Sequence, residues 1–315
     1  MFSCGGLIVR VGIFGIGAIG GLFLHRLSGI ESELHLLVRG LTKDMLDDRG
    51  LLVHYDEHPE ILEVVPPQRF QYLDSSTTLD LVIVCGKNHD VTELTGIASQ
   101  HLGENGKILF VQNGIGHLER AVNIVGKEKV LAGCVTHGVT CLSPGEIRLA
   151  GTGEVVIGPV SPDASMTGLL EAICDIFERA ELVPRVVVDG SIAVWRKLLL
   201  NLAINPVASI AGVENGRLLE SPLREVSVGA LMEGIEVARL EGVIFDVHDL
   251  VGDLEQVLSS TAKNRCSMLQ DIINGRRTEV DAICGALVIK AESHGFAVPR
   301  IETLWNLVRS IENVS

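Results

Sequence analysis

The sequence predicts an α/β protein in which an N-terminal doubly wound parallel sheet is followed by an all-α helical domain. Three observations predict it. Short apolar, β-branched runs alternate with helical stretches as far as Val188, the pattern of a parallel sheet with crossover helices. The first run ends in Gly15-Ile16-Gly17-Ala18-Ile19-Gly20 and passes directly into a helical stretch. From Ser191 the pattern is purely helical and opens on a long apolar helix that carries a polar row.

At 315 residues the chain exceeds what one hydrophobic core usually supports, and its 47% hydrophobic content indicates well-buried structure. Two domains are expected, 1–188 and 189–315, with the boundary near Asp189-Gly190. A formal net charge of -14 argues against nucleic acid and anionic membrane as partners, because binding phosphates needs clustered Lys and Arg. Seven cysteines stand singly, without a C-x-x-C pair, and read as reduced thiols of a cytoplasmic protein. The ten histidines show no metal-binding spacing. Leu7 to Leu24 has the length of an export signal, but Arg10 interrupts it. Its five glycines between Gly12 and Gly21 suit a tight turn better than an inserted helix.

The first expected strand, Leu7 to Phe14, leads into the glycine turn. Spaced as they are, Gly15 makes the turn, Gly17 lets backbone approach a pyrophosphate, and Gly20 allows close packing of helix on strand. The helix N-terminus then presents N–H groups and a positive dipole end to the phosphates. Strand, glycine turn and helix together define a Rossmann-type dinucleotide-binding unit. The second strand, Leu34 to Val38, ends in Arg39-Gly40 with no carboxylate at its tip. NAD binders place an acid there for the ribose 2′-hydroxyl, whereas an arginine suits a 2′-phosphate, so the expected cofactor is NADPH/NADP+.

Further strands are expected at Leu79–Cys85, Lys107–Gln112 and Val130–Val135. Ligands of such sheets sit beyond the strand C-termini, which puts Lys87 and the Asn113-Gly114-Ile115-Gly116 loop on the cofactor side. Glu146 to Gly158 reads as a hairpin turning at Gly151-Thr152-Gly153. A helix from about Ala164 to Ala180 and a strand at Val183–Val188 complete the first half. The second half reads as helices at Ile192–Ala211, Leu223–Glu241, Leu250–Arg265, Glu279–His294 and Ile301–Ile311.

In the first of these helices Lys197, Asn201 and Asn205 fall at i, i+4 and i+8 and so stack along one face, drifting by only ~40° per step. Leu198 to Leu200 and Leu202 to Ile204 are apolar, so the helix is a buried one. A buried ammonium or amide left without partners costs about 2 kcal/mol or more. The polar row is therefore expected to face a cavity, a ligand or compensating side chains.

These motifs resemble the ketopantoate reductase (2-dehydropantoate 2-reductase) family over essentially the whole chain. The resemblance rests on Gly15 to Gly20, Asn113-Gly114-Ile115-Gly116, Trp195-Arg196-Lys197 with Asn201 and Asn205-Pro206, Ser267-Met268-Leu269-Gln270-Asp271, and Arg277-Thr278-Glu279-Val280-Asp281. It implies NADPH-dependent reduction of 2-dehydropantoate to (R)-pantoate in pantothenate biosynthesis, with Lys197 as general acid and Glu279 as its substrate-binding partner. It further implies that Asn113, Asn201, Asn205, Asn264 and Ser267 line the substrate and nicotinamide pocket, and that Arg39 and Lys87 lie near the adenosine 2′-phosphate. Two positions depart from the family pattern, Cys284 and Arg300, where asparagine is usual. They leave open a reductase of a different 2-oxo acid; a non-catalytic NADP-binding sensor would be expected to lack Lys197 or Glu279. The expected partner is a small-molecule 2-oxo acid, and exposed apolar stripes on a helical domain would suit a homodimer. His137 is expected to be structural.

The chemistry of the residues agrees with that implication. Hydride addition to a ketone develops alkoxide charge, which a positioned ammonium stabilises and then protonates. Thr278-Glu279-Val280-Asp281 also reads as a helix-capping sequence, a role that Thr278 and Asp281 can fill without Glu279.

Overall fold

The computed structural model describes residues 9–30, 33–160 and 167–312. Cys4, the Leu7-Ile8 start of the first expected strand and the Ala164 start of the expected helix lie outside the described residues. The chain forms two compact units, one of residues 1–112 and 117–193, the other of 113–116 and 194–315. The division falls at Ala193/Val194, and the short Asn113–Gly116 segment belongs to the second unit.

The first unit contains β1 (Arg10–Phe14), α1 (Ala18–Ser28), β2 (Glu33–Leu37), α2 (Gly40–Arg49), β3 (Leu51–Tyr55), β4 (Leu62–Val65), β5 (Gln71–Tyr72), β6 (Leu79–Val84), α3 (Val91–His101) and β7 (Leu102–Phe110). It continues with α4 (His117–Val125), β8 (Val130–Val135), β9 (Gly138–Ser143), β10 (Glu146–Gly151), β11 (Val155–Pro159), α5 (Thr167–Arg179) and β12 (Pro184–Val186). Among the described residues, eight strands form one sheet in the order β12-β11-β8-β7-β6-β1-β2-β5. The pairs β1–β2, β1–β6, β6–β7 and β7–β8 are parallel, in register so that Phe14 stands beside Leu37 and Val84, and Val84 beside Phe110. β1 and β6 flank the point where strand order reverses, the place where a doubly wound sheet opens a crevice beyond its strand C-termini. The sheet is not wholly parallel: β11 pairs antiparallel with β8.

The expected hairpin between Ile147 and Val155 does not form. β10 pairs antiparallel with β9 and parallel with β3 in a separate sheet of order β4-β3-β10-β9, whereas β11 joins the main sheet. The turn that makes a hairpin is Pro144-Gly145, with Gly145 at φ 72°. Gly153 serves a close approach instead, since a methyl there would lie 2.3 Å from the Thr136 carbonyl carbon. Thr136 N–H donates to the Glu154 carbonyl at 2.9 Å, and Glu154 N–H donates to Thr136 Oγ1 at 2.8 Å. The chain thus crosses from one sheet to the other at this point. α1 packs against the small sheet through Gly21, where a methyl would meet Ile147 Cγ2 at 2.8 Å. Phe23 of α1 and Phe177 of α5, rings 5.5 Å apart, belong to the apolar core of this unit.

The second unit contains most of α6 (Gly190–Ala211), with α7 (Leu223–Leu240), α8 (Val247–Ser260), α9 (Ser267–Ile273), a π-helical turn at Asp281–Gly285, α10 (Ala286–Ser293) and α11 (Pro299–Glu312). Leu198, Leu199, Leu202, Ala203, Val207 and Ala208 of α6 are buried. Leu199 and Leu202 close over Gly234 of α7, where a methyl would lie 2.7 Å from each leucine Cδ2. The single helix expected over Leu250–Arg265 ends at Ser260. Thr261 Oγ1 donates to the Val257 carbonyl at 2.6 Å, and the following turn is tied to Asn215, whose N–H donates to the Asn264 carbonyl at 2.9 Å. α9 then starts on Cys266, whose sulfur accepts from Leu269 N–H at 3.4 Å.

Candidate active site

The glycine turn after β1 has the shape its spacing implies. Gly15 adopts φ 92°, and a methyl there would press on Gly86 N at 2.8 Å; its own N–H donates to the Leu37 carbonyl at 3.0 Å. A methyl on Gly20 would lie 1.9 Å from the Gly15 carbonyl oxygen, which permits no side chain. At Gly17, by contrast, a methyl would meet no atom within 4 Å. Gly17 is also the N-cap of α1, and no side chain caps that helix or places an acid in its first turn. Turn and packing are closed at Gly15 and Gly20 while open space and uncapped N–H groups remain at Gly17-Ala18. These residues fit the pyrophosphate of a dinucleotide. Ile16 is buried and Ile19 packs partly buried against the core, so the two isoleucines anchor the loop from below.

Arg39 does not sit at the tip of a strand as expected: β2 ends at Leu37, and Arg39 is the N-cap of α2. Its guanidinium pairs with Glu93 in the first turn of α3. Lys87 is exposed and precedes the short turn Asn88–Asp90. Sequence reasoning missed Gln112, which is buried and donates from Nε2 to the Val84 and Gly86 carbonyls at 2.8 and 3.2 Å, fixing the backbone that leads to Lys87. Its only signal was a polar residue at the end of an apolar strand.

The Lys87 loop is also held from α4. Arg120 donates to the carbonyl and the side-chain oxygen of Asn88, and Asn88 Nδ2 lies 3.4 Å from Nδ1 of the fully buried His117. Burial, reinforced by Arg120, pushes the His117 pKa down to about 3. The unfolded imidazole takes a proton near pH 6.5 whereas the folded one does not, so stability falls as the pH drops below about 6.5. His117→Asn keeps an acceptor for Asn88 but does not titrate. Urea unfolding should show wild type losing about 2 kcal/mol more than this variant between pH 7 and pH 5. Equal losses would show that His117 titrates normally in the fold.

In the second unit the polar row of α6 grades inward, with Lys197 and Asn201 half-buried and Asn205 buried. Asn113 Nδ2 donates to Glu279 Oε2 at 2.7 Å. The Asn113–Gly116 segment is seated on the π-helical turn: Ile115 N–H donates to the Ala282 carbonyl at 3.3 Å, and a methyl on Gly114, at φ 85°, would lie 2.3 Å from that oxygen. The π-helical turn has no side-chain cap; Thr278 Oγ1 accepts from Val280 N–H at 3.1 Å just ahead of it, and the Glu279 carboxylate is engaged by Asn113. Asp281, partly desolvated though exposed, is held below the usual carboxylate range by hydrogen bonds from Trp305 and Arg277. Asn264, on the turn leading into α9, and Ser267, the first residue of that helix, are exposed. That turn is fixed by residues the sequence did not single out: Asn215 Nδ2 donates to Thr261 Oγ1 at 2.9 Å, and the Cys266 thiol contacts the Asn205 carbonyl at 3.6 Å.

The two departures from the family pattern differ in setting: Cys284 is packed in the interior, whereas Arg300 is exposed and ion-paired. Cys284 is fully buried in the π-helical turn, and burial pushes its thiol up to about 12. Arg300 donates to Glu233, a buried residue of α7 whose carboxylate also accepts the Arg300 and Ile301 N–H groups at the start of α11. His137 is buried.

The family model described as ketopantoate reductase PanE/ApbA matches residues 11–162, and that of the ketopantoate reductase PanE/ApbA C terminal matches 192–312. The 2-dehydropantoate 2-reductase of Halobacterium salinarum is 39% identical, over 96% of this chain and 98% of the relative. That of Archaeoglobus fulgidus is 32% identical over 97% and 99% of the two chains. Among solved structures, a PanE/ApbA family ketopantoate reductase from Ralstonia eutropha JMP134 has a TM-score of 0.82 at 26% identity, covering 97% of this chain and 99% of the other. A D-mandelate dehydrogenase with NADH and anilino(oxo)acetate shares the fold at a TM-score of 0.88 and 22% identity, covering 97% and 98%.

Proposed function

The chain belongs to the ketopantoate reductase family, and from that premise we propose that it reduces 2-dehydropantoate to (R)-pantoate with NADPH, on the route to pantothenate, with Lys197 as general acid. The observation that carries this reading is the half-buried Lys197 at the head of an amide row, beside the buried Leu198, Leu199, Leu202 and Ala203 of the same helix. When bound, the reduced nicotinamide supplies the hydride. The glycine turn and the start of α1 hold the pyrophosphate, while Arg39 and Lys87 meet the 2′-phosphate. The Lys197 ammonium hydrogen-bonds the ketone oxygen, stabilises its developing negative charge and passes it a proton from Nζ, which completes the alcohol. Glu279, its carboxylate fixed by Asn113, accepts a hydrogen bond from the substrate hydroxyl. Asn201, Asn205, Asn264 and Ser267 supply the remaining polar contacts to the substrate.

A reductase of another 2-oxo acid is the nearest competing reading. Of the residues that motivated it, Cys284 is fully buried in the π-helical turn and the exposed Arg300 is engaged by Glu233, so neither specifically favours it. The six described cysteines are free thiols, in keeping with a cytoplasmic setting.

The test is NADPH oxidation, followed by loss of absorbance, across a panel of 2-oxo acids. Ketopantoate should exceed 2-oxoisovalerate, which lacks the distal hydroxyl, by about tenfold or more in kcat/KM. A sealed site would discriminate more strongly, but Asn264 and Ser267 are exposed and water can satisfy groups left unpaired. Equal turnover of the two would overturn the ketopantoate assignment and leave a reductase of broader scope.

A further inference from the structure

We propose that Glu93 sets the cofactor preference by competing with the 2′-phosphate for Arg39. The proposal rests on the reading that Arg39 receives that phosphate. Arg39 Nη2 lies 2.5 Å from Glu93 Oε1, with the two side chains 65% and 54% exposed. Glu93 stands in the first turn of α3, just after the Lys87–Asp90 segment, so the acid comes from the same loop-helix junction as the second candidate phosphate ligand. The guanidinium is therefore already engaged by a carboxylate when the cofactor arrives.

An exposed ion pair is held weakly, and a phosphate carrying nearly two charges displaces the carboxylate from the arginine fork. Displacement has two consequences. The Arg39–Glu93 interaction is given up, and the phosphate is brought beside an uncompensated carboxylate, which repels it over a few ångströms of partly screened solvent. NADH carries no 2′-phosphate, so it leaves the pair intact and bears neither loss. Glu93 thus brings the two cofactors closer in affinity than Arg39 and Lys87 alone would allow. In a chain with no acid at the end of β2, the acid that limits NADPH preference comes from α3.

Dissociation constants for NADPH and NADH should be measured by titration for the wild type, Glu93→Gln, Arg39→Ala and the double variant. Glu93→Gln should raise the ratio Kd(NADH)/Kd(NADPH) about three- to tenfold, almost entirely through tighter NADPH binding. Arg39→Ala should collapse the ratio, and adding Glu93→Gln to it should change the ratio little, because the competition acts through the arginine. Both side chains are exposed, so thermal melting should be nearly the same for all four proteins. A Glu93→Gln ratio equal to wild type, with Arg39→Ala lowering it, would overturn the proposal and leave the Arg39 assignment standing. A ratio untouched by Arg39→Ala would remove the arginine from phosphate binding and the proposal with it.

Discussion

Lys197→Ala should lower kcat by about a hundredfold or more, the range that general acid catalysis supplies, while NADPH binding survives. The expectation follows from where the residue stands. It heads the row Lys197, Asn201 and Asn205 on a helix whose neighbouring Leu198, Leu199, Leu202 and Ala203 are buried, a setting in which lysine is seldom found without a purpose. Cofactor binding is expected to persist because the glycine turn is built from β1 and α1 of the other unit. Lys197→Arg should not restore the rate, since a guanidinium keeps the charge but releases its proton very reluctantly. The side chain is half-buried, so melting temperatures must first show that the variants are folded. A folded, NADPH-binding Lys197→Ala protein with near-normal kcat would sink the general-acid role and return the row to a structural one.

Those features that depend on local spacing are legible in the sequence. The glycine turn is an example: closed at Gly15 and Gly20 and open at Gly17, it follows from three glycines after an apolar run. The buried character of α6 likewise follows from its composition. What sequence concealed was pairing across distance. Val155-Val156-Ile157 alternates no differently whether its partner is β10 or β8, so the choice of sheet was unreadable, although Pro144-Gly145 was a stronger turn signal than Gly151-Thr152-Gly153. The break between α8 and α9 was hidden for the same reason, because it is made by Asn215 reaching the Thr261–Asn264 turn. The Asn113–Glu279 contact spans 166 positions and could be expected only through family resemblance. Arg300 shows the converse limit: a departure from a motif looked like a change at the substrate, and the residue is turned toward Glu233.

Gly114→Ala should destabilise the protein by about 2–4 kcal/mol and lower kcat/KM by tenfold or more, because two separate penalties coincide at that position. Its φ of 85° is one that a side-chain-bearing residue adopts only under strain, and its missing methyl would overlap the Ala282 carbonyl oxygen at 2.3 Å. That oxygen cannot yield as a flexible side chain would, since it belongs to the π-helical turn and already accepts from Ile115 N–H. The Asn113–Gly116 segment must therefore lift, and the Asn113–Glu279 hydrogen bond moves with it. Gly275→Ala is the control, because Gly275 also has a positive φ, 61°, yet a methyl there meets nothing within 4 Å. It should show the conformational penalty alone, about 1 kcal/mol, with kcat/KM close to wild type. If Gly114→Ala melted like Gly275→Ala and kept full activity, the seating of the Asn113 loop on the π-helical turn would not be what holds Asn113 against Glu279.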